Sequence, residues 1–345
     1  MTRKVAIVLF NLGGPDGPQA VEPFLFNLFS DPAIIRVPQL FRWLIAKLVS
    51  KRRAPVARAI YAELGGGSPL VPLTEAQGHA LEAALADGES DWRAFLAMRY
   101  WHPFADVAAA AIKAWGADEI MLLPLYPQYS TTTSESSLKD WDRAAKAAEL
   151  AMPAKAVCCY PVEQGFIAAH AALLGEALAK AGTIDNLRVL FSAHGLPKKI
   201  VDGGDPYQAQ VEQSCAAIVA RLNVPGLDWI TCYQSRVGPL EWIGPSTEAE
   251  IKRAGAEGKR LIVVPVAFVS EHSETLVELD IEYAKLAAES GVPAYSRVPA
   301  LGVHPDFIAG LAGLVRTVRT APEILCPEEA AGYPCTAKLA LQTVS

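Results

Sequence analysis

Short, unbroken apolar runs recur along the chain, and longer stretches with apolar positions every three to four residues lie between them. The runs predict strands at Val5–Phe10, Ala94–Met98, Ile120–Leu125, Ala156–Tyr160, Leu187–Phe191, Trp229–Tyr233, Leu261–Phe268 and Ala294–Arg297. The periodic stretches predict helices at Glu22–Phe29, Glu75–Ala86, Ala105–Trp115, Ser137–Leu150, Gly165–Ala181, Tyr207–Leu222, Thr247–Ala256, Ser273–Glu289 and Pro305–Arg319. An unbroken apolar run suits a strand covered on both faces of a parallel sheet. Alternation with helices therefore predicts an α/β fold, with helices on both faces of parallel sheets.

The pattern also repeats itself. Val8-Leu9-Phe10-Asn11-Leu12-Gly13-Gly14-Pro15 resembles Val189-Leu190-Phe191-Ser192-Ala193-His194-Gly195-Leu196. The strand ending in Arg99-Tyr100-Trp101-His102 matches the one ending in Tyr233-Gln234-Ser235-Arg236. Leu122-Leu123-Pro124-Leu125, before a hydroxyl-rich loop, matches Val263-Val264-Pro265-Val266 before Ser270-Glu271-His272-Ser273-Glu274. One such echo is ordinary for hydrophobic strands. Three in the same order predict two copies of one α/β unit, with strand ends facing a shared cleft. The join is expected near Met152-Pro153, giving domains 1–153 and 154–319 and a C-terminal extension 320–345.

Composition narrows the classes. A chain of 345 residues has room for two domains, and with 51% hydrophobic and 20% charged residues it is ordinary globular material. A net charge of −6 argues against nucleic acid, whose binders carry a basic stripe. No run reaches the ~18 apolar residues that span a bilayer. The apolar patch after Arg3 and Lys4 is too short for a signal peptide and reads as the first strand, so a cytoplasmic protein is expected. Between Phe24 and Lys51 the residues Leu40, Phe41, Leu44 and Leu48 share one helical face, crowded by Arg42, Lys47, Lys51, Arg52 and Arg53. That pattern fits an ordinary surface helix with its apolar stripe on the core. It equally fits a lip over a greasy cleft that touches anionic lipid, which would place the protein peripheral to the inner membrane.

Candidate chemistry gathers in the second half. The run Val189–Phe191 stops at Ser192-Ala193-His194-Gly195, setting an imidazole at the carboxyl edge of a sheet, where ligands bind in open α/β sheets. Alone, such a histidine is as readily a loop residue bonded to a neighbour. Val269–Tyr283 opens with His272 and Glu274 at a helix start, and Glu274, Glu278 and Glu282 follow at i, i+4, i+8. That spacing stacks carboxylates along one helix face, either as a solvated acidic face or as an escort for a divalent cation. The glycines of Asn11–Pro15 and Gly65–Pro69 match neither nucleotide-loop pattern. There is no H-E-x-x-H helix, no C-x-x-C pair and no G-x-S-x-G elbow. What remains is a site of imidazole and carboxylates suited to Fe²⁺, Co²⁺ or Zn²⁺.

Taken together, VLFNLGGPD, MRYWHP, LYPQYSTTTSESSL, FSAHGLP, CYQSRVGPLEWIGPST and VAFVSEHSETLVELDIEY resemble the ferrochelatase family, in order from about Val5 to Arg319. The resemblance implies a chelatase-like fold, two similar doubly wound domains each with a four-stranded parallel sheet flanked by helices. It also implies insertion of Fe²⁺, as substrate, into protoporphyrin IX. By the same resemblance His194 is the base or a metal ligand, Glu274 with His272 holds or relays metal, and Glu278 and Glu282 extend the path. Porphyrin contacts map to Leu12, Tyr61, Ser68, Arg99, Tyr100 and Trp242, with Arg99 the natural partner of a propionate. Many relatives hold a [2Fe–2S] cluster through cysteines, several in a C-terminal extension. Here that extension carries only Cys326 and Cys335, and Thr131 stands where some members place another ligand. A four-thiolate site would need Cys158 or Cys159, and no cluster is expected. Within the fold, a cobalt or nickel chelatase acting on another tetrapyrrole stays open, as does a porphyrin carrier, although a carrier has no use for the acidic row.

Overall fold

All eight apolar runs become strands in the computed structural model, which describes residues 2–236, 238, 240–321 and 324–325. Two compact units result, one formed by residues up to Cys159 with the stretch from Ala312, the other by Tyr160–Leu311.

The first unit contains β1 (Arg3–Asn11), α1 (Val21–Ser30), α2 (Gln39–Ala62), α3 (Leu70–Leu85), β2 (Ser90–Met98), α4 (Ala105–Trp115), β3 (Glu119–Pro124), α5 (Ser134–Ala147) and β4 (Ala154–Val157). The second contains α6 (Gln164–Ala181), β5 (Leu187–His194), α7 (Lys198–Asp202), α8 (Tyr207–Leu222), β6 (Asp228–Gln234), α9 (Thr247–Ala256) and β7 (Arg260–Pro265). A π-helix (Glu274–Tyr283), α10 (Ala284–Glu289) and β8 (Tyr295–Arg297) complete it, and α11 (Pro305–Thr320) and β9 (Ile324–Leu325) follow.

Both sheets are parallel, and their strand orders correspond: β2-β1-β3-β4 in the first, β6-β5-β7-β8 in the second. The three echoes fall on β1/β5, β2/β6 and β3/β7, so the repeat seen in the residues is a repeat of topology. Central strands are buried along nearly their whole length, from Val5 to Asn11 in β1 and Leu187 to Ala193 in β5. This is why their residues read as unbroken apolar runs.

The boundary differs from the expected one. β4 hydrogen-bonds to β3 through Ile120↔Ala154, so the first unit runs through Cys159 instead of ending at 153. Ile324–Leu325, expected in a separate extension, adds a short fifth strand beside β4. Cys326 and Cys335 lie outside the described residues.

One helix answers a question the residues left open, and another departs from expectation. Residues 39–62 form one long helix that buries only Ala46, Ser50, Ala54 and Tyr61. Its large apolar groups point outward: Leu40 is 68% exposed, Trp43 46% and Leu48 70%. The expected helix Ser273–Glu289 is a π-helix followed by a short α-helix, with wider i→i+5 turns in its first ten residues. Leu279 and Tyr283 seat that π-helix on Leu190, Leu261 and Val263 of the sheet and on Ile251 of α9. On the other side the Tyr295 hydroxyl donates to the Leu279 carbonyl at 2.8 Å.

Candidate active site

β5 delivers His194 to the carboxyl edge of the second sheet, where its register partner on β6 is Gln234. The next residue, Gly195, has no room for a side chain: a Cβ there would lie 3.0 Å from the Gln234 carbonyl and 3.2 Å from the Trp242 ring. Trp242 thereby packs beside the histidine, and its indole N–H is buried with no hydrogen-bond partner among the described residues. The imidazole is 40% exposed, and its Nδ1 lies 2.8 Å from Glu274 Oε2. A carboxylate on one ring nitrogen turns the other, Nε2, into the reactive one.

The first turns of the π-helix supply the carboxylates. Burial opposes the charged imidazole of His194, but Glu274, with help from Glu278, outweighs it and raises the histidine above its ordinary value. Burial likewise opposes the Glu274 carboxylate, yet His194, then His272 and the Ser235 hydroxyl, hold it well below the usual range. Glu278 moves the other way, raised by burial and by the neighbouring Glu274 charge. Two carboxylates one turn apart thus carry opposite tendencies.

Ser235 links them. Its hydroxyl lies 3.0 Å from Glu274 Oε2 and 2.5 Å from Glu278 Oε2, and its N–H donates to Glu278 Oε1 at 2.9 Å. It reaches both from a left-handed backbone with φ 61°, an unusual conformation for serine. The Tyr283 hydroxyl donates to Glu278 Oε1 at 2.9 Å. His272 sits at the π-helix start, where its Nδ1 accepts the Glu274 N–H at 3.2 Å. The neutral ring is then the Nε2–H tautomer, and burial lowers its pKa despite the neighbouring carboxylates. Glu282 is exposed at the far end.

The structure therefore brings His194, Glu274, Glu278 and His272 together and leaves Glu282 outward. Among the described residues no group of three or more His, Cys, Asp or Glu side chains is disposed to hold a metal ion. His194, Glu274, His272 and Glu278 are joined by contacts and through Ser235, not arranged as a closed shell. Ser235 and Tyr283 were not singled out from the sequence. Ser235 stands inside a repeated strand end, but a serine gives no sign that its backbone will turn left-handed.

The first unit gathers the other expected contacts. Gly13 and Gly14 follow β1; Gly14 lets Ser68 approach so closely that a Cβ would sit 2.5 Å from its side chain. Leu12 and Tyr61 join a cluster with Val21, Phe24 and Tyr100. Arg99 donates to Asp31 Oδ2 at 2.8 Å and to Ser136 Oγ at 2.7 Å, and the Tyr100 hydroxyl donates to the same Asp31 oxygen at 2.9 Å. Arg99 is thus hydrogen-bonded through two of its three guanidinium nitrogens and stays partly exposed. Cys158 and Cys159 are fully buried, and burial raises the thiols of Cys215 and Cys232, in the second unit, far above the ordinary value.

A family model described as Ferrochelatase matches residues 4–319. The chain is 56% identical over 340 residues to a ferrochelatase of Caulobacter vibrioides, covering 98% of this chain and 96% of that one. It is 59% identical over 313 residues to the ferrochelatase of Phenylobacterium zucineum, covering 90% of each. Among solved structures, SirB from Bacillus subtilis with Fe³⁺ superposes with a TM-score of 0.52 at 15% identity, over 92% of this chain and 96% of that one. The sirohydrochlorin chelatase SirB in complex with cobalt gives 0.54 at 13% identity, over 93% and 97%. These two likenesses show a chelatase-like fold.

Proposed function

The chain belongs to the ferrochelatase family, and from that premise we propose that it inserts Fe²⁺ into protoporphyrin IX, the closing step of heme synthesis. The reaction releases two pyrrole protons as one divalent ion enters, so it needs a base and a route for the metal. The observation that carries the assignment is the 2.8 Å contact between His194 Nδ1 and Glu274 at the end of β5. Glu274 orients the ring and raises its basicity, and Nε2 takes the pyrrole proton. A proton accepted there is stabilised by the carboxylate behind it. Glu278, and beyond it Glu282, pass the metal ion toward this corner, with His272 fixing the π-helix start.

On the family resemblance Leu12, Tyr61, Ser68, Arg99 and Tyr100 of the first unit contact the porphyrin. Because Arg99 and Tyr100 already bond Asp31, their part in this reading is to shape the wall. No helix among the described residues is long and apolar enough to cross a membrane. We place the protein in the cytoplasm, with the outward face of α2 in peripheral contact with the membrane.

The test is direct. Protein mixed anaerobically with protoporphyrin IX and Fe²⁺ or Zn²⁺ should produce the metalloporphyrin spectrum. His194→Ala should bind porphyrin and fold normally but lose insertion, since a strand-end substitution rarely unfolds a domain. Near-normal turnover in that variant would remove His194 from the mechanism.

A further inference from the structure

Beside the acidic pair runs a second line of polar groups with no direct part in the chemistry. Ser192, His194 and Gln234 lie on one side of the sheet: Ser192 is two residues before His194 on β5, and Gln234 is the β6 partner of His194. The Ser192 hydroxyl donates to Gln234 Oε1 at 2.8 Å, and Thr247 Oγ1, at the first residue of α9, lies 2.8 Å from Ser192 Oγ. The Gln234 amide nitrogen then donates to the Glu274 carbonyl at 3.3 Å and to Glu278 Oε2 at 3.1 Å. Ser192, Thr247 and Gln234 are at most 1% exposed.

The direction of this chain is fixed by its ends. A carbonyl and a carboxylate oxygen, both pure acceptors, face one side of the amide, so its NH₂ must point there. Ser192 spends its one proton on the amide oxygen, so toward Thr247 it accepts, and the Thr247 hydroxyl also lies 3.3 Å from Cys232 Sγ. We propose that Ser192 and Gln234 are positioning residues that set where Glu278 points, by holding the amide with both N–H groups toward the π-helix. Without the Ser192 hydroxyl the amide oxygen is buried and unpaired, and the amide turns away to satisfy it. Glu278 then keeps Ser235 and Tyr283 but loses the amide donor that shares its Oε2 with the Ser235 hydroxyl. The proposal rests on the reading of Glu278 as the residue that hands on the metal.

The experiment measures steady-state insertion of Zn²⁺ into protoporphyrin IX by Ser192→Ala, Gln234→Met, Glu278→Gln and the double variant Ser192→Ala/Glu278→Gln. Ser192→Ala and Gln234→Met should each raise the apparent KM for Zn²⁺ about five- to tenfold, the size of one ordinary hydrogen bond. The KM for porphyrin and the kcat at saturating metal should stay within about twofold. In the Glu278→Gln background Ser192→Ala should add nothing, because the group through which it acts is gone. Ser192→Ala removes one oxygen atom, so it keeps the test open should Gln234→Met fail to fold. A raised metal KM in Glu278→Gln alone, with folded Ser192→Ala unchanged, overturns the positioning role and leaves the Glu278 reading standing. An unchanged metal KM in Glu278→Gln overturns both. Additive effects in the double variant overturn the coupling to Glu278.

Discussion

At the scale of single residues, the three glutamates of the π-helix are not equivalent. Glu274 touches His194, Glu278 is held by Ser235, Gln234 and Tyr283, and Glu282 is exposed. Glu274→Gln should therefore depress turnover most, Glu278→Gln should act through the metal's apparent KM, and Glu282→Gln should be weakest. A flat response across the three in steady-state kinetics would return the row to solvated surface. Because Glu274 raises His194, the acid limb of the pH–rate profile should lie above the ordinary imidazole value. In Glu274→Gln that limb should move to lower pH. His194, His272 and the glutamates were legible in the sequence because strand ends and helical spacing reveal themselves in residue type. Ser235 was not, since its role depends on a backbone φ and on two carboxylates contributed from another element.

Elements carry the next level of explanation. The π-helix is pinned from β8, where Arg297 makes a two-pronged contact to Asp280 at 2.6 and 2.7 Å and reaches Glu271 at 2.8 Å. Arg297→Met strips the cation from exposed Asp280 and half-buried Glu271. It should lower stability by about 1 kcal/mol, the upper end for solvent-screened pairs, read as a fall in thermal midpoint. An unchanged midpoint would mean that packing alone holds the helix. The α-helical spacing expected for 273–289 missed this geometry because a π-turn has no periodicity of its own in residue type. For α2 the residues left two readings open, and the structure leaves Leu40, Phe41, Trp43, Leu44 and Leu48 exposed beside Lys47, Lys51, Arg52 and Arg53. Flotation with anionic vesicles should capture the protein, weaken in salt as basic contacts of ~1 kcal/mol each are screened, and fail for Leu44→Ser/Leu48→Ser. Equal capture of that double variant would place membrane contact elsewhere.

On the scale of the whole molecule, stability should depend on pH through a group far from the catalytic corner. His170 is fully buried in α6 against the Phe166 ring, and neither ring nitrogen has a hydrogen-bond partner among the described residues. Burial, then the nearby His304, lowers its pKa to about 3. A folded value below the unfolded one means the unfolded chain takes up the proton first. The stability is complete above about pH 6.5 and is lost toward about pH 3, at ~1.4 kcal/mol per pH unit. Urea midpoints at pH 7 and pH 4.5 should diverge in the natural protein and converge in His170→Leu; an equal shift in both would acquit this residue. The fold itself was largely legible, because central strands covered on both faces announce themselves as apolar runs and the two halves repeat them in order. The boundary was not, since only hydrogen bonding assigns β4 to its sheet. That repetition ends at one corner. Gly13, the counterpart of His194, has φ +80°, and a Cβ there would lie 3.1 Å from both Met98 Cβ and the Trp101 nitrogen. The two halves share an architecture but not a latitude: a side chain at that corner of the first unit would meet a strained backbone and crowded neighbours, so a histidine can be carried there only by the second.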